Sequence, residues 1–408
     1  MKPAVRSAVS IQVLFVLFGV VIASFFPFIA LFLDARGLTT GEIGVVIATM
    51  AVARVLFNPV WGHISDTTIG RKRALQIGTL GAGAAALALF WTHSLLPIAG
   101  IGFVFAGFGT TAGPNIDALA LVHLGEERMH DYGRIRGWES LSYAGACLVI
   151  GFTLQHVGVR WAMPIYAAAS LVVLGWTATI ASDRPARKLK HGRLGSVGAV
   201  FREAPRFWGF LAALLLVWTG FNGAWNFIGL KIERAGGGPL LVGIGTALGG
   251  VVEVPVMRWS SRLGKRLGLR LVYVTGCCVY AFGFLLWGLV SSPTVVSLLT
   301  AFEGLAFGLL FTTGVVIIGR LIPPTLYSTG QSMAATAGFG LGPILGAGIG
   351  GWVYDRFGAT TLYTGASMLA LAGGAVAWLA LSTPSLSRPH PDAEPLQPVA
   401  PPHGTEAG

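Results

Sequence analysis

The sequence predicts an all-α integral membrane protein whose twelve transmembrane helices form two pseudo-symmetric six-helix halves. Three observations carry this reading. Of the 408 residues 54% are hydrophobic and only 11% are charged, with a mean hydropathy of +0.71, so polar surface is too scarce to cover a soluble globule. Apolar runs recur along the chain, each near the roughly 20 residues a helix needs to cross a hydrocarbon core of about 30 Å. The chain also resembles itself at a shift of about half its length. Lipid forces the backbone to satisfy its own hydrogen bonds, and the roughly ten-residue alternation of a barrel strand is absent, so the spans are helices.

The runs lie at about 9–32, 41–64, 74–93, 95–123, 132–155, 160–181, 206–230, 239–258, 271–290, 294–321, 326–352 and 359–381. The first follows Lys2 and Arg6 like a signal peptide, but it continues past Pro27 to Leu33 without a small-residue cleavage site, so it is read as a retained helix. With the N-terminus inside, 22 of the 28 lysines and arginines fall on internal segments and five, Arg36, Arg160, Lys231, Arg234 and Arg356, fall outside. The positive-inside rule then puts both termini in the cytoplasm of a cell whose inner membrane the chain spans. The net charge of +11 is thereby assigned to topology and not to nucleic acid.

Ser182 to Pro205 holds Arg184, Arg187, Lys188, Lys190, Arg193 and Arg202 and is read as a cytoplasmic basic linker, 182–205, between an N-terminal half, 1–181, and a C-terminal half, 206–381. The stretch 382–408 has seven prolines and no apolar period, as in a disordered cytoplasmic tail. A shift of 199 lays Phe108-Gly109 on Phe307-Gly308, Arg71 on Arg270 and Arg54 on Glu253; a shift of 200 lays Gly151 on Gly351 and Gly158 on Gly358. Paired halves of this kind hold a substrate near the bilayer midplane. Cys147, Cys277 and Cys278 lie in apolar runs without metal or redox spacing and are read as packing residues.

Between spans two and three stand Gly62, Asp66, Gly70, Arg71, Lys72 and Arg73. This resembles the loop signature of the major facilitator superfamily, with Thr67 at a usually basic position and Gly70 one residue late. The resemblance covers residues 8–381. Pro114-Asn115-Ile116-Asp117-Ala118-Leu119-Ala120-Leu121, Tyr132-Gly133-Arg134-Ile135-Arg136-Gly137-Trp138-Glu139-Ser140, Glu253-Val254-Pro255 and the run from Pro323 through Gln331 to Gly358 are similar to the branch that holds phenylpropionic acid permeases, nucleoside-proton symporters and lactose permease. Glu303 stands where that branch often has a histidine. The resemblance implies alternating access, with the first, fourth, seventh and tenth helices lining the cavity.

Ionisable residues within spans cost about 2.5–3.5 kcal/mol each at the bilayer centre and are functional candidates. Glu303 lies about ten residues, roughly 15 Å, into the tenth span. It can carry a coupling proton or contact substrate, or instead bond a neighbouring helix. Arg54 can grip an anionic substrate through two bonds or neutralise a buried acid. Glu253 precedes the helix-bending Pro255 and can couple, gate or brace. Trp218, Asn222, Trp225 and Asn226 share one helical stripe that suits either a cavity wall or interhelical packing, with Asn115 as a companion in span four. Asp117, Arg134, Arg136 and Glu139 form a candidate charge network fastening the inner ends of spans four and five, and Asp66 with Arg71 a candidate gate latch. Gly338, Gly342, Gly346 and Gly350 give span eleven a small face for close packing.

No GxxxxGK[ST] phosphate loop, nucleophile–base pair or metal cluster occurs, so neither an enzyme nor an ATP-driven pump is expected, and no cofactor or metal. The sequence reads as a monomeric secondary transporter in the lipid bilayer, its partners a small-molecule substrate and protons. Proton-coupled import of an aromatic acid is expected first, with a nucleoside or sugar next; the alternative is a proton-coupled exporter of drugs or sugars.

Overall fold

The computed structural model describes residues 3–124, 131–180, 197–323, 326–383 and Leu386. Residues 182–196 of the expected linker and nearly all of the expected tail lie outside the described residues. Among the described residues every regular element is helical. The first span is α1 (Pro3–Phe25) and α2 (Ile29–Asp34), broken at Pro27; the second and third are α3 (Thr40–Ile64) and α4 (Arg71–Leu89). The fourth divides into α5 (Leu95–Gly109) and α6 (Ala112–Leu124), and α7 (Tyr132–Val157) and α8 (Ala162–Ala178) follow. The short α9 (Val197–Glu203) lies within the expected linker. Then come α10 (Pro205–Arg234), α11 (Pro239–Leu267), α12 (Leu269–Leu289), α13 (Pro293–Leu298) with α14 (Thr300–Leu321), and α15 (Tyr327–Ala335) with α16 (Gly342–Ala380).

Ten of these helical stretches are long and apolar enough to cross a membrane. One, Thr329–Ala380, is 52 residues long and is broken at Gly358, whose φ of +83° is open to glycine and strained for other residues. Dividing it there and adding the less apolar α4 gives the reading of twelve. Local signals set several ends. Thr39 Oγ1 accepts from Glu42 N–H at 3.3 Å while Glu42 accepts from Thr39 N–H at 2.8 Å, a reciprocal cap on α3. Pro205, Pro239 and Pro293 each open a helix where a missing N–H is harmless.

Six glycines among the described residues have positive φ, and they fall into three pairs: Gly37 and Gly236 are 199 apart, Gly70 and Gly268 are 198 apart, and Gly158 and Gly358 are 200 apart. The chain thus turns the same corners twice. Helices α1 to α8 pack mainly on one another, as do α10 to α16, and the main crossings between the two sets are α3 on α16 and α7 on α11.

Those crossings are related by the same shift. Gly44 of α3 meets the backbone of Gly351 and Ala347, while Gly243 of α11 meets that of Gly151 and Cys147. A side chain on any of the four glycines would collide with backbone, which cannot yield as a flexible side chain can. Near this end Arg234 Nη2 also donates to Asp34 Oδ1 at 2.7 Å, and Gln155 Oε1 accepts from Leu240 N–H at 3.5 Å. The sets are therefore closed on each other at the end bearing Arg36, Arg234 and Arg356. They part toward the cation-rich end bearing Arg71 to Arg73 and Lys265.

Candidate functional site

Between the two sets lies a cavity of about 840 Å³. Its wall comes from spans one, two, four, five, seven, eight, ten and eleven. This corrects the four-helix lining that the family resemblance implied, because the tilted helices of the two crossings also face the central space. Asn58, Pro59, Ser332 and Ala335 of the wall are exposed, so the cavity opens toward the cation-rich end.

Arg54, Glu253, Glu303, Trp218, Asn222, Trp225 and Glu139 all reach this wall. Glu303, on α14, is 8% exposed. It has space because α11 passes it as glycine: a Cβ at Gly249 would lie 2.9 Å from Glu303 Oε2. Span ten is pinned to α11 by Ser297 Oγ of α13 donating to Leu241 O at 2.6 Å and by Thr300 Oγ1 of α14, 2.7 Å from Gly245 O. Gly304 also abuts the backbone of Gly249. Glu253 lies one turn along α11 from Gly249, within electrostatic range of Glu303. Its neighbour Pro255 cannot donate to Val251 O, which leaves that carbonyl without its helical bond.

Arg54 belongs to the other wall, on α3. Among the described residues no carboxylate forms an ion pair with it. Tyr166 of α8 is its neighbour within electrostatic range. The cavity therefore presents one guanidinium from the first set and two carboxylates from the second. Glu139 adds an acid on the first set, within range of Arg136 and Asp117.

The apolar wall is aromatic. Trp218 packs on Phe221 at 5.3 Å, Phe307 at 5.6 Å and Phe339 at 4.9 Å between ring centres, and Trp225 stacks on Phe221 at 6.0 Å. Gly338 and Gly342 leave room for Trp218, and Gly346 and Gly350 pack on Thr219 to Gly223, so the small face of span eleven is the seat of span seven. Asn222 donates to Trp218 O at 2.8 Å, which leaves its amide oxygen to the cavity. Asn226 donates to Asn222 O at 2.7 Å and Asn115 to Thr111 O at 2.8 Å; neither is on the cavity wall. Three of the four residues on the span-seven stripe, Trp218, Asn222 and Trp225, thus line the wall, while Asn226 and its companion Asn115 do not.

The charge network divides. Asp117 accepts from Tyr132 Oη at 2.8 Å and pairs with Arg136 at 3.3 Å, joining α6 to α7. Arg134 pairs instead with Asp131 at 3.2 Å, and Glu139 turns to the cavity. Asp66 pairs with Arg71 at 3.3 Å within one loop, while Lys72 reaches Ala178 O and Ile180 O, tying span three to the end of span six.

Sequence reasoning missed Tyr143, Asn58, Phe307 and Phe339. Tyr143 lies one turn beyond Glu139, within electrostatic range of both Glu253 and Glu303, and so brings a hydroxyl from the first set toward the acids of the second. Its signal was the i, i+4 spacing from Glu139; Phe307 has the same spacing from Glu303. Phe339 sits in a π-helical turn, Thr336–Leu341, which re-aims the side chains of span eleven and has no readable sequence mark.

A family model described as MFS_1 like matches residues 9–364. The chain belongs to that family. It is a multi-pass membrane protein and a secondary transporter of the major facilitator type. Over 354 residues this MFS_1 like transporter is 25% identical to an uncharacterized transporter, YwbF, of Bacillus subtilis, covering 86% of this chain and 87% of the other. A maltose permease of Geobacillus stearothermophilus is 26% identical, covering 85% of this chain and 88% of that protein. A probable 3-phenylpropionic acid transporter of Escherichia coli is 26% identical, over 67% of this chain and 71% of its own. The crystal structure of a nucleoside transporter, NupG, superposes with a TM-score of 0.79 at 16% identity, covering 94% of this chain and 99% of the other.

Proposed function

We propose that this transporter imports a small organic anion with an aromatic body, driven by protons, across the inner membrane. The observation that carries the reading is Arg54, a guanidinium with no ion-pair partner among the described residues, facing an aromatic cavity whose opposite wall bears Glu253 and Glu303. In the open form Glu303 is already buried, while Arg54 and Glu253 keep part of their contact with the cavity's water. When the halves close, water leaves, and a charge stranded without a partner costs several kcal/mol. A substrate carboxylate would neutralise Arg54 through two parallel bonds. A proton is the smallest partner that would neutralise either glutamate. In the empty return step a deprotonated glutamate of the opposite wall would offset Arg54 instead, so that proton and substrate move together.

In this reading residues 1–181 and 206–381 are the two moving halves, the protein acts as a monomer, and both termini are cytoplasmic. The open cation-rich end then faces the cytoplasm. Asp117 and Arg136 hold α6 and α7 as one unit, and Asp66 with Arg71 braces the loop at the mouth; both clusters act in gating, not in binding. Arg134 contributes at the same mouth. Asn226 and Asn115 support the wall from behind. The names of the relatives support an organic solute, and the phenylpropionic acid transporter among them supports an aromatic acid.

The test is uptake of a radiolabelled aromatic carboxylate into proteoliposomes under an inward proton gradient. Accumulation that an uncoupler abolishes is expected. Accumulation that ignores the uncoupler contradicts proton coupling, and drug resistance on overexpression without uptake would turn the reading toward export.

A further inference from the structure

On the outer surface, away from the transport cavity, a groove of about 330 Å³ runs between α12 and the last part of α16. Its walls are Val274, Cys278, Leu371, Ala375, Trp378 and Leu379, all apolar, and Leu379 is 72% exposed. Gly374 lets the helices meet at the floor, where a Cβ would lie 3.0 Å from Cys277 Cβ. In a membrane this face looks at hydrocarbon.

At the cation-rich end of the groove stands Arg270. Arg270, Val274 and Cys278 are four residues apart and share one stripe of α12, so the groove leads from the guanidinium into the bilayer, about 12 Å over eight residues. The guanidinium carbon lies over the Trp378 ring, 3.6 Å from its centre. Its Nε is buried without a hydrogen-bond partner, and no carboxylate among the described residues pairs with it. Gly70 and Gly268 open α4 and α12 alike, which makes Arg270 the mate of Lys72; Lys72 donates to Ala178 O and Ile180 O, whereas Arg270 Nε is unpartnered.

We propose that the groove binds an anionic phospholipid, one acyl chain lying along Val274, Cys278 and Ala375 and the headgroup phosphate paired with Arg270. A soluble phosphate would satisfy the guanidinium and leave the apolar groove empty; a neutral lipid would fill the groove and leave the charge unmet. Basic pockets at helix ends on the cation-rich side of a membrane have this chemistry.

The test is native mass spectrometry of the full chain in detergent with phosphatidylglycerol and phosphatidylcholine of equal chains. The wild type should retain one phosphatidylglycerol with a preference of at least about fivefold, the worth of about one cation at a charged headgroup. Arg270→Gln should erase the preference and Arg270→Lys keep part of it, while Arg356→Gln, at the opposite end, leaves it intact. Ala375→Phe fills the groove without touching the charge and should also lose the lipid, so it decides the matter if Arg270→Gln fails to fold. Equal retention of the two lipids by the wild type, or undiminished phosphatidylglycerol on Arg270→Gln or Ala375→Phe, overturns the proposal.

Discussion

Gly44 and Gly351 touch backbone to backbone across the two sets of helices, and their repeat mates, Gly243 and Gly151, do the same on the other side of the molecule. Two crossings built from one duplicated contact close the end opposite the cation-rich loops. A wedge at either should spoil the closure. Gly243→Val would thrust its side chain into the backbone of Cys147 and should shift the population toward the form open at this end. Spin labels on Glu42 and Arg356 should report a longer distance in the variant; an unchanged distance distribution would deny these glycines a part in closure.

The Asp34–Arg234 pair bridges the same end at 2.7 Å, with side chains 33% and 43% exposed. Exposed pairs contribute about 0–1 kcal/mol, so Asp34→Asn should change the closed-to-open ratio by no more than about fivefold. The same labels would measure it, and a complete opening would show that the salt bridge, not the glycine packing, holds the end shut.

Much of this arrangement is legible in the sequence. Arg54, Glu253 and Glu303 stand out because charge is rare in apolar spans, and the repeat lays Gly151 on Gly351 and Gly158 on Gly358. The contacts are not legible. Periodicity says which residues share a face of a helix, but not which neighbour that face meets: Trp218 and Asn226 share a stripe, yet only the former reaches the cavity. Arg134 and Arg136 are two residues apart and pair with different acids, Asp131 and Asp117, because α7 turns them to different sides. The π-helical turn that carries Phe339 depends on tertiary packing and leaves no mark of its own.

Gly249 gives Glu303 its space, so Gly249→Ala should displace the carboxylate from 2.9 Å of the new methyl carbon. Transport should fall about tenfold, equivalent to about 1.4 kcal/mol, with folding retained. Unimpaired transport in this variant would mean that the position of Glu303 is immaterial.

Glu303→Gln keeps the shape of the side chain and removes its ability to exchange a proton. Substrate counterflow should survive, while accumulation driven by a proton gradient should vanish, both read in proteoliposomes. Full gradient-driven accumulation would remove Glu303 from the coupling scheme.

The central claim is that Arg54 holds the charge of an anionic substrate. Its most direct test is the affinity of an aromatic carboxylate and of its neutral amide for the wild type and for Arg54→Gln, by calorimetry on the purified chain. A buried charge-assisted pair is worth about 1.5–3 kcal/mol, so the carboxylate should bind Arg54→Gln on the order of 10- to 100-fold more weakly, while the amide is little affected. Equal binding of the carboxylate to both proteins would contradict the claim.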